Sequence, residues 1–283
     1  MVARLIDVFF IGLVFGLLIF FNLLLGLEKA HSVELRPHRV LYTMSLERAT
    51  MRSGVTGASG AMVYKILENC DSWSTETNVR LKIVYVEKGE VKSDWSFVSW
   101  ESKDGMDYRF RVLHSIDGSL IENYKGIVTR TTPSGVAKAQ YFAPKGMVLL
   151  LPTATVFPIR HLIELISAAD SGKKIFSRTV FDGANANNPY EVNAIIGRGN
   201  TERTASSRAS LELFERAGLG PVPARNVRMA FFPSTSMKAE PEFELSVNYR
   251  SDGIARAIKQ DFGHFVMALS PASIELLNRP KCE

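Results

Sequence analysis

From Leu35 onward apolar and polar residues alternate with a period of two. Val79, Leu81, Ile83 and Tyr85 are interleaved with Arg80 and Lys82, and Tyr108, Phe110 and Val112 with Arg109 and Arg111. Phe243, Leu245, Val247 and Tyr249 alternate with Glu242, Glu244, Ser246, Asn248 and Arg250. Side chains along a strand point to opposite faces in turn, so the pattern predicts strands with one dry and one wet face, the antiparallel habit. Turn-forming residues punctuate the runs: Lys88-Gly89, Asp104-Gly105, Asp117-Gly118, Pro133-Ser134-Gly135, Asp182-Gly183 and Asp252-Gly253. Roughly ten or more strands at this spacing predict a barrel, a sandwich or an extended curled sheet. Parallel α/β folds are disfavoured because helical crossovers are missing.

One segment follows a different period. In Phe157 to Asp170, residues Ile159, Leu162, Ile163, Ile166 and Ala169 recur at helical spacing. Pro158 suits the first turn, Arg160 and Glu164 form an i,i+4 pair, and Gly172 suits the stop. Such a helix needs an apolar surface to cover, and packing into the concave side of a curled sheet is the first reading; a movable lid over a ligand is the second. A shorter helix is predicted over Ser206 to Ala217, preceded by a polar stretch, Gly197 to Arg208, predicted as a mobile loop.

The first 30 residues are set apart from this body. Arg4 precedes an apolar run, Val8 to Leu27, followed by Glu28, Lys29 and Ala30. A cleaved secretory signal over residues 1–30 is favoured, although Glu28 fits the small-residue rule poorly for cleavage after Ala30. At about 20 apolar residues the run also suits an uncleaved anchor. Both readings place the body, residues 31–283, beyond the membrane as a single domain, and the expected location is the periplasm. No lipobox cysteine is present near the segment. The net charge of +5 would ordinarily raise nucleic acid as a partner. Export and the lack of basic runs interleaved with aromatics argue against it, leaving envelope proteins or lipids as the expected partners. Membrane contact is expected only through the N-terminal segment, if it is uncleaved.

Only two cysteines occur, Cys70 and Cys282. In an exported protein they are most economically read as one disulfide tying the first third of the chain to its tail. A redox-active pair is the alternative, disfavoured by the absence of Cys-x-x-Cys spacing.

Catalytic signatures are scarce. His31, His38, His114, His161 and His264 are scattered and form no metal-binding spacing. Ser171-Gly172-Lys173-Lys174 matches Ser-x-x-Lys formally but sits at a helix end and lacks companion motifs. Gly57-Ala58-Ser59-Gly60 has the wrong spacing for a nucleophile elbow, and Gly197-Arg198-Gly199 lacks a third glycine. Glu242 and Glu244 read as a solvated strand face. Asp94 and Glu101 flank an aromatic strand, Trp95, Phe97, Val98 and Trp100, which with Trp73 packs a sheet face or, as the alternative, lines a sugar or peptide groove. No catalytic, cofactor-binding or metal-binding residue is predicted.

Ordered motifs nevertheless carry a family resemblance. His38-Arg39-Val40-Leu41-Tyr42, then Ser53-Gly54-Val55-Thr56-Gly57-Ala58-Ser59-Gly60 leading into Cys70-Asp71-Ser72-Trp73, resembles the start of the EipB family of periplasmic cell-envelope integrity proteins. Trp100-Glu101-Ser102-Lys103-Asp104-Gly105, Leu151-Pro152, Phe157-Pro158, Val180-Phe181-Asp182-Gly183, Ile195-Ile196-Gly197 and Pro280-Lys281-Cys282 follow in order. The resemblance implies a mainly β fold: a large antiparallel, spiral-like sheet forming a half barrel, with one amphipathic helix in or across its concave face and one disulfide. It implies no known enzyme activity, and a fold similar to that of periplasmic lipoprotein carriers. The expected function is therefore non-enzymatic support of envelope integrity, with a lipidated or peptide partner in an apolar concavity; the alternative is an envelope hydrolase. The leader with its poor processing site and the polar stretch Gly199 to Ser210 depart from the family pattern.

Overall fold

The computed structural model describes residues 33–198 and 205–282; the N-terminal segment and the middle of the predicted polar loop lie outside the described residues. The alternating runs become strands β1 (His38–Ala49), β2 (Val55–Glu68), β3 (Ser72–Tyr85), β4 (Gly89–Ser102), β5 (Asp107–Ile116), β6 (Ser119–Arg130), β7 (Ala137–Ala143) and β8 (Val148–Leu151). After helix α1 (Pro158–Asp170) come β9 (Ile175–Val180), β10 (Tyr190–Arg198), helix α2 (Ala205–Arg216), β11 (Ala224–Pro233), β12 (Phe243–Arg250), β13 (Ala255–Asp261) and β14 (Phe265–Leu276). All belong to one 14-stranded sheet in the order β8-β7-β6-β5-β4-β3-β2-β1-β14-β13-β12-β11-β10-β9. Every strand–strand pairing in it is antiparallel.

Two meanders, β1 to β8 and β9 to β14, thus meet where the first strand pairs with the last, with His38 opposite Leu276. The sheet curls but stays open, with β8 and β9 as its edges. The connection carrying α1 runs from one edge to the other. Val156 in that connection pairs in parallel with Val180 and so covers part of the β9 edge. Phe181, fully buried, packs beside β5 against Phe110, with ring centres 5.6 Å apart. Gly183 follows at φ 71°, and a Cβ there would lie 2.5 Å from the Phe110 ring, so glycine is required by both backbone and contact.

The inward side chains form a large apolar cluster, including Val40, Tyr42, Val192, Val227 and Met267, and a second around Tyr108, Phe110, Tyr141 and Phe181. Helix α1 joins the sheet through a third cluster, in which Ile159 and Ile166 meet Leu35, Ile66 and Trp73, while Leu165, Ala168 and Ala169 enter the first. The half barrel with an amphipathic helix is therefore present. Helix α2 begins one residue earlier than predicted and buries Phe214 beneath the Arg250 guanidinium, 5.1 Å from its ring centre. The loop predicted from Gly197 is shorter than expected. Gly197 and Arg198 pair with Asn226 and Arg225 of β11, and Ala205–Arg208 are helical.

Cys70 and Cys282 are bonded, with Cα atoms 5.5 Å apart and a sequence separation of 212. The pairings explain why they meet: β1 lies between β2 and β14, and the tail crosses the entering chain through Leu277 N–H to Pro37 O at 3.0 Å. Arg279 adds a 3.1 Å contact to Glu34. Closing so long a loop restricts the unfolded chain by about 5 kcal/mol at most in the chain-entropy treatment. Cys70→Ser is expected to lower the melting temperature under non-reducing conditions, and an unchanged melting point would refute a stabilising role for the bond.

Candidate binding concavity

One end of the concave face is plugged. The start of α1 offers no side-chain cap of its own: Phe157 occupies the N-cap and Pro158 follows without an N–H. A carboxylate from a distant strand fills the gap. Glu101 on β4 accepts the Ile159 and Arg160 backbone N–H groups, at 2.8 Å each. It is only 3% exposed, and burial pushes its carboxyl up to about 7, against the opposing pull of the two N–H groups and of Arg160 and Arg130. Arg130 does not bond to it. Its guanidinium donates to the Pro133 and Thr155 carbonyls, at 2.9 Å each, and lies 4.7 Å from the Phe157 ring centre. Phe157 stacks in turn on Tyr108, 4.7 Å away. His161, on the same helix, is buried beside Phe176, which pulls its imidazole down to about 4.

Away from the helix the inward positions are only half-buried. Met62, Val79, Leu81, Trp95 and Tyr124 line one wall, and Phe231, Phe243, Leu245 and Ile258 the other. Phe231 and Phe243 stack at 4.3 Å. Together they give the inner face a trough-like apolar band, packed against the main core, at the end of the sheet away from α1 and toward the β3–β4 and β5–β6 turns. A polar row crosses the wall near those turns. Ser93 on β4, His114 on β5 and Glu122 on β6 project from the same face; Ser93 Oγ is 2.9 Å from His114 Nε2 and Glu122 is 3.1 Å from His114 Nδ1.

The profile of EipB-like proteins matches residues 29–278. The chain belongs to the EipB-like family. A relative from Brucella abortus (strain 2308), named cell envelope integrity protein EipB, is 27% identical over 243 residues, covering 85% of this chain and 84% of its own length. A solved structure, a beta-barrel-like protein of a domain of unknown function from Brucella abortus, superposes with a TM-score of 0.78 at 24% identity. That match covers 87% of this chain and all of the other, and supports the fold.

Within this EipB-like frame the sequence candidates separate. Asp94 and Glu101 are seven positions apart and therefore face opposite sides of β4: Asp94 sits outside with Arg80, and Glu101 inside under the helix. Alternation also splits the aromatic strand. Trp95 and Phe97 stack inside at 5.7 Å, whereas Val98 and Trp100 face outward, with Arg109 over the Trp100 ring at 4.9 Å. Trp73 is buried below Lys103, 5.3 Å from its ammonium. Glu244 pairs with Arg228 on the outer surface, whereas Glu242 accepts from Asn187 at 2.9 Å and lies beside the buried Tyr190. Ser171 donates to the Ala168 carbonyl at 3.0 Å and ends α1, so the Ser-x-x-Lys match is a helix stop. Sequence reasoning missed the Ser93–His114–Glu122 row because its members lie on three strands with no shared local motif. It missed the cap for the same reason, 58 positions separating Glu101 from Ile159.

Two buried groups give stability opposite pH slopes. The Glu101 carboxyl is raised from 4.5 to about 7, so its contribution is complete below about 4.5 and is lost as pH rises through about 7. This is worth about 3 kcal/mol. The His161 imidazole is lowered from 6.5 to about 4, so its contribution is complete above 6.5 and is lost as pH falls toward 4. Glu101→Gln is expected to cost about 1–3 kcal/mol at pH 5, where one helix N–H meets an amide donor. The gap to wild type should narrow between pH 6 and 8.5. Parallel denaturation curves for the two proteins across that range would rule this out.

Proposed function

We propose that this protein supports cell-envelope integrity from the periplasmic side by holding an acyl chain or apolar peptide segment of an envelope partner in its open trough. The observation that carries the reading is the half-buried band from Trp95 and Tyr124 to Phe243 and Leu245. Side chains left half-exposed along a concave face offer a dry contact to a chain of matching character. The name of the Brucella abortus relative, cell envelope integrity protein, supports the cellular role. The export-type leader supports the compartment. Binding alone would fulfil this role, and no catalytic group is needed for it.

Native mass spectrometry of the protein purified from its own periplasm should reveal a co-purifying acyl-bearing or peptide mass. Leu245→Asp places a charge on the trough wall and should reduce that occupancy at least about tenfold while the disulfide and circular dichroism are retained. A clean apo mass from wild-type protein, together with no uptake of added fatty acid, would overturn the reading.

A further inference from the structure

We propose that Ser93, His114 and Glu122 form a nucleophile, base and orienting carboxylate that cleave acyl esters entering the trough. The inference rests on the reading that the trough takes acyl chains, and adds a reaction to it. Three observations carry it. The first is geometry: the His114 ring is bracketed, with Ser93 Oγ at 2.9 Å from Nε2 and Glu122 at 3.1 Å from Nδ1. With the Nδ1 proton directed at Glu122, Nε2 is left to accept the Ser93 hydroxyl proton, the arrangement by which a neutral imidazole activates a serine. The second is access: His114 and Glu122 keep 23% and 35% of their side-chain surface open, so the row is not sealed in the core. The third is the backbone. His114 pairs with Glu122 and Ser115 with Leu120, so Ile121 is an extra residue on β6 beside the row. A bulge of this kind re-aims the adjoining side chain at the cost of ladder regularity. Trp95, directly opposite His114 on β4, and Leu81, opposite Ser93 on β3, supply apolar flanks for an acyl chain.

The step balances within these groups and water. Ser93 Oγ bonds to the ester carbonyl carbon as its proton passes to His114 Nε2. The tetrahedral adduct then breaks its bond to the alcohol oxygen, which takes the proton back from His114 and leaves as free alcohol. Water, deprotonated by His114, attacks the acyl-Ser93 ester; the carboxylic acid departs and Ser93 recovers its proton. Ser93 is paired on both sides, with Leu81 and Ile116, so it does not stand on a sharp turn ringed by free backbone N–H groups. The expected rate is that of a slow esterase, about 10²–10³ below one with an oxyanion hole.

A fluorophosphonate probe tests the assignment without knowledge of the natural ester. Wild-type protein should gain one phosphonyl adduct, located on Ser93 by peptide mapping, and should hydrolyse p-nitrophenyl octanoate above the protein-free rate. Ser93→Ala removes a single oxygen and should abolish both while leaving the melting temperature nearly unchanged. His114→Gln should slow labelling at least about a hundredfold. Glu122, a positioning residue, should show a smaller drop as Glu122→Gln and partial rescue as Glu122→Asp. No adduct on Ser93, or ester turnover that persists in Ser93→Ala, would overturn the proposal; a row serving only as a hydrogen-bonded ladder would give that result with altered melting temperatures. The arms keep the two readings apart. A retained lipid without labelling defeats the chemistry alone, and labelling of a protein that neither retains an acyl mass nor takes up added fatty acid defeats the holding role alone.

Discussion

The Glu101 carboxylate, buried at the end of β4 and bound to the first free N–H groups of α1, holds the helix where the rest of the molecule needs it. Helix starts are usually capped locally, by a serine, threonine, aspartate or asparagine just before the first turn. Here Phe157 occupies that place and uses its ring for stacking on Tyr108. The cap therefore comes from the sheet, and docking of the helix satisfies two N–H groups of its first turn. That coupling directs Ile159 and Ile166 onto Leu35, Ile66 and Trp73, and closes one end of the concavity. The cost is a carboxyl held near neutrality by burial, tolerated because both oxygens accept hydrogen bonds.

An open sheet of this size must also manage its edges. The bond between Cys70 and Cys282 does not touch them. It fastens the seam at which the two meanders meet, where β1 pairs with β14. Part of the β9 edge is covered by the connection between the edges, through Val156, and the Arg130 guanidinium holds that connection at the Thr155 carbonyl. Phe181 and Gly183 then fill the space against Phe110. The curl is thus maintained by a covalent seam in the middle and packed side chains across the gap.

Membership of the EipB-like family and the structural match agree with this architecture. What distinguishes the trough is its division of labour. The helix end is polar, with the Glu101 carboxylate and the two terminal nitrogens of Arg130 bonded to backbone groups while Arg130 Nε is buried without a partner. The open end is apolar and half-buried, crossed near its mouth by an inward row in which a serine, a histidine and a glutamate bond in series. A ligand reaching past that row would meet aromatic and aliphatic side chains before it met the helix.

Much of this molecule was written in local patterns. A period of two along Tyr108, Phe110 and Val112, or along Phe243, Leu245 and Val247, needs only neighbouring residues to specify a strand and its buried face. The helix from Pro158 to Asp170 was equally legible, and the disulfide was expected from two cysteines and an apolar N-terminal run read as a leader. Folding alone decided which carboxylate capped the helix, because Glu101 and Asp94 look alike in sequence and differ only in the side of β4 they occupy. It alone set Ser93, His114 and Glu122 in contact, since cross-strand neighbours depend on register and on one extra residue at Ile121. Periodicity carries information about faces; which distant residues share a face is determined by pairing and curvature, which no local window of residues contains.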